Sequence, residues 1–346
     1  MVKSCARSLT CAAFVALAPF AGAQVIETAW NQPDGDRWMY PFNGTPGSRI
    51  SAPTFATPNL PEFDNRDGQF ILLFTTTGRV PTGLPLSSYR VISARVTATV
   101  ANDRQFFYDP TFDAVNTYRD ENDPLYTSDN DIGRPIEIYP VGYRDGFSLA
   151  NFTETSPYNV VGNPFIDASD IRVAFAAAVD ANGNAIDISN NVRDGFEVSS
   201  LAIGLADLPA GALVPADTTF TFDLTLCNPQ TQRYFAEALT AGKLNLVISS
   251  LHGATFDPDI GPGDPLYPDF YTRDNPIAAF FGLAPTLELV IRVGSAGDYN
   301  ADGIRDFFDV QAFLADLSNQ NPRADLVPDC SFDFFDVQRF LSEFSQ

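Results

Sequence analysis

A thirteen-residue segment occurs twice near the end of this 346-residue chain, as DFFDVQAFLADLS from Asp306 to Ser318 and as DFFDVQRFLSEFS from Asp333 to Ser345. Nine of the thirteen positions are identical, at an offset of 27 residues. Two such copies must form the same local unit, and neither is large enough to bury an apolar face alone. In the first copy Val310, Phe313, Leu314 and Leu317 recur at i, i+3, i+4 and i+7. In the second, Val337, Phe340, Leu341 and Phe344 do the same. That spacing predicts two amphipathic helices that bury their faces against each other.

The residues leading into the first helix read DYNADGIRDFFD, Asp298 to Asp309. Oxygen-bearing side chains fall at positions 1, 3, 5, 9 and 12 of this stretch: Asp298, Asn300, Asp302, Asp306 and Asp309. Gly303 at position 6 permits a sharp turn, and the carbonyl of Ile304 at position 7 adds a further oxygen. This is the spacing of a twelve-residue calcium loop, with Asp in place of the usual final Glu. Hard oxygen ligands in that number suit Ca²⁺ better than the smaller Mg²⁺. The second copy, DLVPDCSFDFFD, keeps Asp325, Asp329, Asp333 and Asp336 at positions 1, 5, 9 and 12, with Ser331 at the carbonyl position. Val327 replaces the position-3 ligand and Cys330 replaces the glycine, so weaker calcium binding is expected there.

A duplicated calcium loop and helix of this length resembles a dockerin, and the DFFDVQ-x-FL wording is most similar to the GC-type dockerins that end many secreted bacterial proteins. The resemblance covers Asp298 to Ser345. The second loop departs from the pattern, and the chain ends EFSQ without the Gly-Cys that names the type. The resemblance implies calcium-dependent attachment to a cohesin-like or other surface protein, on an assembly that degrades polysaccharide. It also places the partner contact at loop residues ten and eleven, here Phe307-Phe308 and Phe334-Phe335. One Phe of each pair is expected in the core and the other at the contact surface.

The other end of the chain has the layout of an export signal. Lys3 and Arg7 precede a short apolar run, and Ala21-Gly22-Ala23 is a small-residue cleavage site, so residues 1–23 are expected to be removed and the mature chain to be secreted. No segment is long and apolar enough to predict a membrane span. The mature chain then carries a net charge of about −24, and 34 of its 43 acids are Asp, which favours turns and caps. Nucleic acid and anionic membrane surfaces, which need a basic face, are therefore not expected as partners. Only Cys227 and Cys330 remain after the signal, and their separation leaves open whether they pair. A single histidine, His252, rules out a histidine-rich metal site.

Between these ends, residues 24–293 read as β structure. QFILLFTTTG, SYRVISARVTATV, IRVAFAAAV, FEVSSLAIGL, TTFTFDLTL, KLNLVISSL and TLELVIRV are rich in β-branched and aromatic residues. Val91, Ala94, Val96, Ala98 and Val100 make one apolar face, as do Phe220, Phe222, Leu224 and Leu226. One helix is expected after Asn228-Pro229 and closed by Gly242. Strands without alternating helices predict a jelly-roll-like β-sandwich, joined by a flexible GSAG linker at 294–297 to the calcium-binding module at 298–346. The run from FDLT through GKLNLVIS to PTLELVIRV, with SARVTATV earlier, is similar to the jelly-roll modules called DNRLRE domains, which implies a non-catalytic role.

Catalytic signatures are sparse. The sequence has no nucleophile elbow, no HExxH and no phosphate-binding glycine loop. Of the nine Glu, only Glu137, Glu197 and Glu288 lie in or beside strand-like segments. Trp30, Trp38, Tyr126, Tyr267 and Tyr271 lie in polar, Pro-rich contexts where an exposed ring can stack on a sugar. DPLY occurs at Asp123 to Tyr126 and at Asp264 to Tyr267, and with Asp129, Asp131, Asp257 and Asp259 it fits either a second calcium site or solvated loops with the tyrosines packed as lids. These features predict a secreted, non-catalytic protein that docks through its tail and binds glycan or serves structurally through its sandwich. The alternative is an extracellular glycoside hydrolase carrying the same tail.

Overall fold

The computed structural model describes residues 23–57, 65–161, 171–254 and 266–346. The expected signal segment lies outside them apart from Ala23. The chain is mainly β, with several antiparallel sheets. Its strands are β1 (Gln24–Trp30), β2 (Gly35–Met39), β3 (Ser51–Pro53), β4 (Gln69–Thr75), β5 (Tyr89–Thr99), β6 (Ile136–Tyr143), β7 (Ala174–Val179), β8 (Ala185–Asp187), β9 (Ala202–Ile203), β10 (Thr219–Asp223), β11 (Lys243–Ser250), β12 (Asp269–Tyr271) and β13 (Thr286–Val293). The helices are α1 (Asn191–Asp194), α2 (Pro229–Ala241), α3 (Pro276–Phe281), α4 (Phe307–Ser318) and α5 (Phe334–Phe344).

One sheet has the order β1-β13-β5-β10, and a larger one runs β2-β4-β11-β6-β7-β8 with β9 beside β6. The alternation in β5 and β10 has the consequence read from sequence. Val91, Ala94, Val96 and Ala98 join Phe220 and Phe222 in a core shared with Phe70, Leu72, Leu246 and Ile248 of the larger sheet. Val91 and Ala94 are three residues apart yet share that face. The β5–β13 register shifts between Val290 and Ile291, so a bulge at this point resets the pleat. The larger sheet is buried on its other face too, where Ile71, Tyr139, Val141 and Val247 meet Phe152, Val173 and Ile188.

Two local readings change. The expected strand at 196–205 shrinks to Ala202–Ile203, because the segment crosses between sheets: Ile203 pairs with Glu137 of β6 while Leu205 bridges Thr221 of β10. In β6, Pro140 hides a strand from sequence reading. On the side away from β11, β9 pairs with residues 137–138 and β7 with residues 141–143, so the proline falls between two partners where no N–H is required. Helix α2 starts and stops as expected, with the Asn228 side chain accepting from the Gln230 and Thr231 N–H groups and Gly242 in the left-handed region. The same Asn-Pro…Gly grammar builds α3 from Asn275 to Gly282.

The C-terminal module packs on the smaller sheet. Its core stacks Phe313 on Phe340 with ring centroids 4.3 Å apart, enclosed by Tyr299, Ala296, Ala324 and Leu326. The predicted flexible linker is instead packed. The Gly294 N–H donates to the Ser88 carbonyl, the Ala296 N–H donates to Glu343 Oε2 at 2.6 Å, and a Cβ on Gly297 would lie 2.5 Å from the Glu343 carbonyl. Cys227 and Cys330 form a disulfide with Cα atoms 5.0 Å apart, tying the body to the module.

Candidate metal centre

The two acidic loops precede α4 and α5 and share one hydrogen-bond pattern at the 27-residue offset. The Asn300 N–H donates to Asp309 Oδ1 at 2.9 Å, as the Val327 N–H does to Asp336 Oδ1. The Asp306 N–H donates to Asp309 Oδ2, as the Asp333 N–H does to Asp336 Oδ2. Asp306 and Asp333 cap their helices by accepting from Phe308 and Phe335. Asp302 and Asp329 accept from Ile304 and Ser331, and Asp298 and Asp325 accept from Gly303 and Cys330. The turn survives the loss of glycine because Cys330 itself takes a positive φ of 57°.

In both loops the carboxylates at positions 1 and 12 are buried, while those at position 5 are exposed. The loops differ in what balances the buried charge. In the second, Arg90 of β5 reaches across and pairs with Asp325 Oδ2 at 3.3 Å, and its Nη2 also donates to the Asp325 carbonyl. Burial pushes the Asp325 carboxyl above the usual carboxylate range, and the Arg90 guanidinium pulls it back. In the first loop Asp298 accepts from the N–H groups of Gly303 and Ala23 through Oδ2, while its buried Oδ1 has no hydrogen-bond partner among the described residues. A buried carboxylate oxygen without a donor is costly. The Asp298, Asn300, Asp302, Asp306 and Asp309 oxygens with the Ile304 carbonyl are a donor set of the kind Ca²⁺ takes. Among the described residues no three carboxylates of either loop come within 4.8 Å of one another, so the first loop must tighten to surround an ion.

The phenylalanine pairs do not divide between core and surface as expected. Phe307, Phe308, Phe334 and Phe335 are 72, 62, 70 and 59% exposed. The core is filled instead by Phe313 and Phe340 one turn further on. Leu314 and Leu341, which the helical spacing assigned to the buried faces, are also about half exposed. The module therefore presents the same three apolar side chains from each repeat.

The other candidates fare differently. Trp30, Trp38 and Tyr271 are buried, and Tyr267 packs on Phe55 with ring centroids 4.8 Å apart, so these four do not form an exposed aromatic platform. Glu137 is buried against Arg66 at 3.0 Å, and Glu197 accepts from the Val115 N–H. The two glutamates share one cavity of about 10 Å³, which has no room for a sugar ring, while Glu197 also borders a wider pocket of about 290 Å³ in which it is the single acid. Glu288 lies apart on β13, opposite Arg95. Asp257, Asp259 and Asp264 lie outside the described residues, and Asp129 is engaged by Arg134. No helix is long and apolar enough to cross a membrane among the described residues. No family model matches the chain, and no curated protein matches it.

Proposed function

We propose that this is a secreted, non-catalytic protein whose C-terminal module binds Ca²⁺ and docks onto a protein partner. Asp298, Asn300, Asp302, the Ile304 carbonyl, Asp306 and Asp309 hold the ion. The buried, unpartnered Oδ1 of Asp298 is the observation that carries this reading, because a divalent cation supplies what the protein does not. If the export signal is cleaved after Ala23, the Ala23 contact disappears and Asp298 becomes freer still. In the second loop, Asp325, Asp329, Ser331, Asp333 and Asp336 bind calcium more weakly, since the Arg90 guanidinium already neutralises Asp325.

In this reading the second repeat clamps the module to a jelly-roll-like body, and Phe307, Phe308, Phe334 and Phe335 present an apolar surface to a cohesin-like or other surface protein. The assembly it joins degrades or displays polysaccharide, and the body is structural. Burial of both tryptophans speaks against sugar stacking as its main task.

Two experiments test this. Asp298→Ala with Asp309→Ala is expected to remove the stronger calcium site, and unchanged calcium uptake by calorimetry would sink the assignment. The immobilised mature chain, exposed to surface and secreted proteins of its source cell in millimolar calcium, is expected to release one partner on chelation. Capture that survives deletion of residues 298–346 would refute docking through the module.

A further inference from the structure

A second acidic cluster lies on the body, well away in sequence from the tail. Asp109, Asp113 and Asp131 each place a carboxylate oxygen within 4.8 Å of the other two. Asp109 and Asp113 are buried and Asp131 is exposed, so the trio opens to solvent on one side. Gly133 allows the close approach, since a Cβ there would lie 2.9 Å from the Phe107 carbonyl and 3.0 Å from the Asp109 Cβ.

Charge and proton accounting leave the cluster unbalanced. Arg134 donates from Nη1 to Asp113 Oδ2 at 2.8 Å and also contacts Asp129. One guanidinium thus serves Asp113 and Asp129, and no cation reaches Asp109 or Asp131 among the described residues. The Thr111 hydroxyl lies 2.7 Å from Asp109 Oδ1 and 2.9 Å from Asp131 Oδ2, yet has a single proton to donate. Independently of these contacts, Asp109 is only 3% exposed, and its Oδ2 is buried with no hydrogen-bond partner among the described residues. Its carboxylate faces the trio, so the orphan oxygen belongs to a group already turned toward two others. A buried carboxylate oxygen without a donor calls for a cation.

We infer that Asp109, Asp113 and Asp131 form a calcium site on the body, distinct from the tail loops, that holds the two ends of the segment between Asp109 and Arg134 together. The all-oxygen donors, with no His or Cys, select a hard cation over zinc or copper. Three carboxylates with solvent access fit Ca²⁺, which completes its shell with water. A divalent ion leaves one net negative charge among Asp109, Asp113, Asp129, Asp131 and Arg134.

The test is calcium titration calorimetry on the mature chain in two backgrounds, the unmodified sequence and Asp298→Ala with Asp309→Ala. Asp131→Asn is expected to lower the number of bound ions by one in both, or to weaken that site at least tenfold. Asp131 is exposed, so this variant keeps its fold, which is checked by an unchanged melting temperature in chelator. Asp113→Asn is expected to act on the same ion. Titration of Asp131→Asn indistinguishable from its parent would overturn the site, whatever the tail loops do. Loss of calcium uptake only through the tail variants would overturn it equally, and would leave the tail reading intact.

Discussion

Replacing Cys227 and Cys330 by serine probes how the tail is joined to the body. The disulfide spans 103 residues of sequence, and α2, β11, β12, α3, β13 and α4 all lie inside the closed loop. In the chain-entropy account, opening a loop of that length frees the unfolded state by about 4.7 kcal/mol, an upper limit, since measured values centre on about 2–4 kcal/mol. The native contacts that remain include the Arg90–Asp325 pair, the Gly294–Ser88 bond and the Glu343 bonds to Ser295 and Ala296, so the folded state changes little. For a chain of this size each kcal/mol moves the melting temperature by roughly 2 °C, which predicts a fall of roughly 4–9 °C. Differential scanning calorimetry of the wild type with and without reductant, beside the double variant, reads this directly. Reduced wild type and variant are expected to coincide, and reductant is expected to leave the variant unmoved. A variant that melts with the oxidised wild type would refute the clamp. A tail that melts separately while the body is unaffected would refute the single cooperative unit on which the magnitude depends.

Three further perturbations follow from the same contacts. Phe340→Ala removes half of the stacked pair at the heart of the tail and should cost about 3–5 kcal/mol, seen as rapid proteolysis within residues 298–346 that calcium partly suppresses. Protection equal to wild type would contradict that core. Arg90→Gln frees the Asp325 carboxylate, so calorimetry should detect stronger calcium binding in the second loop, while stability in chelator falls by about 3 kcal/mol. His252 is buried beside Phe106, and burial pushes its pKa down to about 3. The unfolded chain takes up this proton below about pH 6.5 and the folded chain does not, so stability is lost as pH falls from 6.5 toward 3, by about 1.4 kcal/mol per pH unit. Denaturant unfolding of His252→Phe should lack this slope, and identical pH profiles for the two proteins would exclude it.

Much of this was legible in the sequence because the signals are local. The helical spacing after each acidic loop, the Asn228-Pro229…Gly242 frame of α2 and the alternation in β5 and β10 each constrain a few neighbouring residues; the structure forms the two helices, the α2 frame and the strand faces, and departs only in leaving Leu314 and Leu341 half exposed. The Asn275-Pro276…Gly282 frame was equally readable. It escapes notice because the intervening residues are apolar and three of them, Ile277, Phe280 and Phe281, remain exposed. Pro140 misleads for the opposite reason, since a residue that breaks most strands sits harmlessly where β6 changes partners.

By itself the sequence determined the repeat, its turn chemistry, the two helices that follow the loops and the β character of the body, all set by backbone geometry over a dozen residues or fewer. Only the tertiary structure decided which phenylalanines are core and which are surface, since burial depends on what lies opposite. It also decided that Cys227 meets Cys330, that Arg90 meets Asp325, and that Asp109, Asp113 and Asp131 converge. The outermost residues of these groupings lie 22 to 235 positions apart. Nothing in a local pattern encodes them; they exist because packing two apolar sheet faces against each other fixes where the polar loops and edges must end up.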